Sequence, residues 1–112
     1  MTQQARRLGE VDAATLRRWL DEGRADLVDV REPNENAAER IPEASLIPLS
    51  SFAGQIPAAP AGKRAVVFHC RSGNRTGKAA ELLCRSGYDE VYHLVGGIEA
   101  WKQAGFPTER ST

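Results

Sequence analysis

Near the N-terminus, apolar residues recur at helical spacing: Leu16, Trp19 and Leu20 share one face of a stretch that opens after Asp12 and runs to Gly23. Asp12 is placed as an N-cap, with Val11 and Leu16 where a hydrophobic staple would close over the first turn. The pattern then changes. Ala25-Asp26-Leu27-Val28-Asp29-Val30 is a short β-prone run, ended by Glu32-Pro33-Asn34, where proline removes a ladder donor and pre-sets a turn. This puts Asp29 and Arg31 near the C-terminal end of a strand. Ala44-Ser45-Leu46-Ile47-Pro48-Leu49 is a second apolar stretch, and the segment with Pro57, Pro60 and Gly62 reads as a short helix or loop and a connection.

The strand from Arg64 to His69 is clearer, because Ala65-Val66-Val67-Phe68 is an unbroken apolar run of the kind buried on both faces. From Asn74 or Arg75 the chain reads as a helix with Ala80, Leu83 and Cys84 on one face and Gly87 just past its end. Val91-Tyr92-His93-Leu94-Val95 is the last strand. Gly96-Gly97 then turns into a helix holding Ile98 and Trp101, closed by Gly105 and Pro107. Strands alternating with helices predict an α/β fold around a mostly parallel sheet. One domain over residues 8–107 accounts for the pattern, with 1–7 and 108–112 as loosely ordered tails.

Charge narrows the function. Lys and Arg number 15, as do Asp and Glu, so the formal net charge is zero and no long-range field favours nucleic acid or anionic lipid. The longest apolar run is far short of the ~20 residues a membrane span needs. Arg6-Arg7 is followed by no apolar segment of a secretory signal, so the expected compartment is the cytoplasm. Cys70 and Cys84 are the only cysteines, too few for a disulfide framework, and no Cys/His cluster has zinc spacing, so no metal is expected.

In an open parallel sheet, ligands bind beyond the C-terminal strand ends, and here a buried-type strand ends in Cys70-Arg71-Ser72-Gly73-Asn74-Arg75-Thr76. Gly73 permits a backbone turn that aims successive N–H groups inward, and the following helix adds the positive end of its dipole. Those donors, with the two guanidinium groups, predict a lowered thiol pKa and a nucleophilic Cys70. A cysteine at a strand end is more often a small buried hydrophobe; the glycine and the flanking arginines tip this one toward chemistry.

The loop resembles the active-site loop of the rhodanese sulfurtransferases. Asp29-Val30-Arg31-Glu32-Pro33 with Glu35, then Ile41-Pro42 and Ala44, is similar to that family's first signature, and Leu94-Val95-Gly96-Gly97-Ile98-Glu99-Ala100-Trp101 with Ala104-Gly105-Phe106-Pro107 to its closing one. The resemblance implies a rhodanese-like three-layer α/β/α domain with five strands and a reaction that needs no metal or organic cofactor. Cys70 would take sulfane sulfur from thiosulfate or a persulfide donor and pass it to cyanide or a thiol. The N–H groups of residues 71–75 would stabilise the persulfide, and Arg71 and Arg75 would serve the donor's sulfonate. Thr76 would either give its hydroxyl to Cys70 or cap the helix.

Asp29 and Arg31 would brace the loop, with Glu35 as the partner of Arg31. The alternative is a sulfur-relay or docking module loaded by a partner such as a sulfur-carrier protein, with little activity on free thiosulfate. Cysteine phosphatases of the related fold place five residues between Cys and Arg; here four separate Cys70 from Arg75, a loop too tight for a phosphoryl group. Two features depart from or lie outside the motifs. Glu39-Arg40 precede Ile41-Pro42-Glu43-Ala44 where the family usually has Gly-His before Ile-Pro-Gly-Ala. His69 faces away from Cys70 by alternation, so His69 and His93 both read as strand-packing residues, and Cys84 reads as core rather than as a resolving thiol.

Overall fold

Asp12 caps the first helix as its position predicts: its carboxylate accepts from the Thr15 N–H at 2.8 Å. The computed structural model describes residues 7–52 and 65–110. Its elements are β1 (Gly9–Val11), α1 (Ala13–Asp21), β2 (Ala25–Asp29), α2 (Pro33–Ala38), β3 (Ser45–Leu46), a 3-10 turn (Leu49–Phe52), β4 (Ala65–His69), α3 (Asn74–Lys78), α4 (Ala80–Leu83), β5 (Glu90–Leu94) and α5 (Gly97–Gln103). The strands form one five-stranded sheet in the order β1-β5-β4-β2-β3, and every pair is parallel.

The apolar run of β4 lies at the centre, buried at all five positions. Strand alternation divides it between two cores. Ala65 and Val67 join Leu16 and Trp19 of α1 and Ile98 and Trp101 of α5 on one face, while Val66, Phe68 and Cys70 join Leu83 of α4, Cys84 and Val91 on the other. With helices covering both faces the domain has three layers, as the resemblance implied.

Four elements differ from the sequence patterns. β1 was not foreseen, because it has three residues and only Val11 of them is buried. Pro33, read as the start of a turn, opens α2 instead, where its missing N–H costs nothing; Glu32 and Glu35 close a capping box around it. The apolar stretch from Ala44 supplies only the two residues of β3 before Leu49 enters the 3-10 turn. The long helix expected after the Cys70 loop is two short ones, interrupted at Ala79, whose ψ of 13° leaves helical geometry.

The unusual Glu39-Arg40 pair has a structural use. Glu39 accepts from Lys102 Nζ and Thr108 Oγ1, both at 2.8 Å, and Arg40 pairs with Glu109 at 2.9 Å beside an antiparallel backbone bridge between the same two residues. The chain just past Pro107, expected as a tail, is thus held against the α2–β3 turn. Glu43 of that turn accepts from Arg17 of α1 at 2.6 Å. The expected connection around Pro57, Pro60 and Gly62, the N-terminal tail up to Arg6, and residues 111–112 lie outside the described residues.

Candidate active site

Cys70 follows β4 directly and is 1% exposed. The chain turns sharply at Gly73, whose φ of +95° is open to glycine at little cost, and this turn brings the Gly73 N–H to 3.1 Å from Cys70 Sγ. Thr76, fully buried, places Oγ1 3.6 Å from the same sulfur. Burial pushes the Cys70 thiol up, but bonds from Thr76, through its backbone and its hydroxyl, and from the Gly73 and Ser72 backbones outweigh burial and bring it below its ordinary value.

The loop is anchored from behind by α5. Ile98 N–H donates to the Cys70 carbonyl at 3.0 Å and Glu99 N–H to that of Arg71 at 3.2 Å. Only glycine fits at position 97: a Cβ there would lie 2.4 Å from the Arg71 carbonyl oxygen. The closing motif and the Cys70 loop are therefore two halves of one structure. Asn74 is exposed in the first turn of α3, which Gly73 rather than Thr76 caps.

The arginines are differently engaged from the expectation. Arg71 is 70% exposed at its side chain and pairs with Glu99 at 3.1 Å. Arg75 makes a two-pronged contact with Glu35, Nη1 to Oε1 at 2.7 Å and Nη2 to Oε2 at 2.8 Å. Each guanidinium faces a carboxylate, so the field they were expected to add at the thiol is largely offset and the local donors carry the shift. α3 is also only five residues long, which confines any dipole contribution to its first turn.

Glu35 is therefore the partner of Arg75, not of Arg31. The Arg75 hydrogen bonds hold the Glu35 carboxyl down at about 2. Arg31 instead forks onto Asp29, Nε to Oδ1 at 2.9 Å and Nη2 to Oδ2 at 2.8 Å, and also donates to the Glu39 carbonyl at 2.6 Å. Asp29 is fully buried and takes a further bond from Asn36 at 3.0 Å. Burial pushes its carboxyl up, and the Arg31 and Asn36 bonds hold it below the usual range. This buried pair locks the end of β2 to α2, from which Glu35 reaches Arg75.

The histidines divide. His69 is fully buried with Nδ1 3.1 Å from the Cys70 carbonyl and Nε2 3.9 Å from Asp29 Oδ1, and burial keeps its pKa low, so it packs as the neutral ring. His93 does more than pack: its Nδ1 lies 2.7 Å from Thr76 Oγ1, one contact away from Cys70. No spacing signalled this, since β5 and the loop meet only in the folded sheet. Cys84 is a free, buried thiol in the apolar cluster that also holds Cys70. Among the described residues no group of three or more His, Cys, Asp or Glu could hold a metal ion, and no helix is long and apolar enough to cross a membrane.

Comparison with known proteins agrees with this architecture. A family profile described as Rhodanese-like domain matches residues 12–104. The chain is 43% identical over 98 residues to an uncharacterised protein of Synechocystis, covering 87% of this chain but only 54% of that one. It is 38% identical over 101 residues to a protein of Allochromatium vinosum named Sulfurtransferase, covering 89% and 94%. Among solved structures, a rhodanese-related protein of Thermoplasma volcanium superposes with a TM-score of 0.74 at 28% identity, over 90% of this chain and 97% of that one. Signature motifs, superposed fold and matched span agree, and the chain belongs to the rhodanese-like domain family.

Proposed function

We propose that the protein is a sulfurtransferase that carries sulfane sulfur as a persulfide on Cys70. The observation that carries this reading is the setting of the sulfur: closed off by the core on one side, it meets the Gly73 N–H and the Thr76 hydroxyl on the other. Such a setting favours an anion of one sulfur's size, first the thiolate and then the outer sulfur of a persulfide. The relative named Sulfurtransferase, which matches nearly end to end, supports it.

In the first step the thiolate attacks the sulfane sulfur of thiosulfate or another donor. A new S–S bond forms, the old one breaks, and sulfite or a thiolate leaves with its electron pair. In the second step cyanide or an acceptor thiolate attacks the outer sulfur, and the Cys70 thiolate departs with the bonding pair. Neither step needs a carboxylate acid or base. In this reading Arg71, exposed on the loop, meets the donor's sulfonate, while Glu35 holds Arg75 as a brace. Asp29 and Arg31 support the loop from the next strand.

Val95 favours a second reading of the same site. It is an apolar side chain, 45% exposed, on the turn that abuts the loop, where a protein that delivers or collects the sulfur would meet it. Thiocyanate formation from thiosulfate and cyanide separates the two. The first reading expects steady turnover with parallel double-reciprocal lines and none in Cys70→Ser. Negligible turnover in the wild type, with rapid loading from a persulfide-bearing protein, favours the relay.

A further inference from the structure

Thr76 has one hydroxyl hydrogen and three polar neighbours: Cys70 Sγ at 3.6 Å, the Gly73 carbonyl oxygen at 3.2 Å and His93 Nδ1 at 2.7 Å. The carbonyl can only accept, and so can a thiolate. The Cys70 sulfur donates only while it is a thiol, and His93 Nδ1 accepts or donates according to where the ring carries its protons. Its other nitrogen, Nε2, faces the Glu10 carboxylate at 3.7 Å. Glu10 and His93 are register partners across β1 and β5, so their side chains share the sheet face that also holds Cys70. The tautomer with its proton on Nε2, the nitrogen on the Glu10 side, leaves Nδ1 as an acceptor for the Thr76 hydroxyl.

We propose that His93, through Thr76, takes up and holds the proton that Cys70 loses on becoming a thiolate. The S–H bond breaks as its proton passes to Thr76 Oγ1, and the hydroxyl's own proton passes to His93 Nδ1. Every proton stays within the group, and no oxidant or reductant takes part. In the product Nδ1–H donates to Thr76, the Thr76 hydroxyl donates to the thiolate, and Nε2–H lies toward the Glu10 carboxylate at 3.7 Å, an ion-pair contact rather than a hydrogen bond. The titratable groups that face the ring are Glu10 from β1 and, across Thr76, Cys70 at the end of β4; from α3 it meets Thr76 and Gly77. His93 is thus a positioning residue, acting on the sulfur only through the hydroxyl, and the inference rests on Cys70 being the nucleophile.

The test is the pH dependence of Cys70 alkylation by iodoacetamide, read on the Cys70 peptide of the full chain. It reports the thiolate and not the sulfur, so a wild type that never loads sulfur would overturn the proposed activity and leave this inference standing. His93→Asn keeps a polar group beside Thr76 but cannot hold the extra proton, and it is expected to raise the alkylation midpoint by about one pH unit. Thr76→Val should raise it too, and adding His93→Asn to Thr76→Val should add nothing more. His93→Val serves as a second variant, with the melting temperature of each showing that it folds. An unchanged midpoint in His93→Asn would overturn the proposal, as would a His93→Asn effect that persists in full without the Thr76 hydroxyl.

Discussion

Cys70 and Cys84 lie in one apolar cluster, 1% and 7% exposed, and their thiols shift in opposite directions. At Cys84 burial acts alone and pushes the thiol up. At Cys70 burial pushes the same way and is overcome by Thr76 and by the backbone of Gly73 and Ser72. The backbone around them differs in polarity as well: Cys84 is the C-cap of α4, whereas Cys70 lies just ahead of the N-cap of α3. Burial makes a thiol inert, and donors aimed at it make a thiolate. The chemistry therefore belongs to the loop geometry rather than to the cysteine.

The largest expected effect breaks the comparison outright. Cys70→Ser should abolish thiocyanate formation, while Cys84→Ser, facing a cavity of about 390 Å³ lined by Arg7, Leu8, Ala80 and Glu81, should keep more than half of it. Equal losses would mean that the two thiols work as a pair. Asp29→Asn comes next. It strips the charge from the buried partner of Arg31 and should cost about 3 kcal/mol in denaturant unfolding, a loss of fold stability that Cys70 and Cys84 share.

Gly73→Ala sharpens the contrast at the loop itself. Its φ of +95° is strained for alanine, and a Cβ would meet the Gly96 nitrogen at 3.3 Å, so the turn that holds the N–H against Sγ must shift. Activity should fall about tenfold or more, with the Cys70 alkylation midpoint rising toward that of Cys84. The smallest effect is expected from Glu35→Gln. Because the folded carboxyl sits at about 2, below its unfolded value, its contribution is complete above roughly pH 4.5 and is lost as pH falls toward 2. The variant should lose no more than ~1 kcal/mol at neutral pH, since the pair is part-exposed, and should show a flatter acid decline in melting temperature.

The Cys70 loop, β4, the Asp12 cap and the Gly96-Gly97 turn could be read from the chain because each is a local pattern: an apolar run, a capping residue, glycines at a turn. What escaped was set by contacts between distant segments. Glu35 and Arg75 stand 40 residues apart and meet only once α2 folds against the loop. His93 reaches Thr76 because β5 is the neighbour of β4, which no periodicity encodes. β1 is too short to show alternation, and Pro33 carries the same signal for a turn and for the first residue of a helix. The break at Ala79 comes two residues after Gly77, and a lone glycine inside a helical pattern is tolerated often enough that it does not by itself mark an end.

The central claim is that Cys70, and not Cys84, carries sulfur. Intact mass after brief incubation with thiosulfate, followed by peptide mapping and by addition of cyanide, tests it most directly. The account predicts a gain of one sulfur atom, located on the Cys70 peptide, absent in Cys70→Ser, retained in Cys84→Ser and removed by cyanide. Sulfur found on Cys84, or a gain that survives in Cys70→Ser, would contradict it.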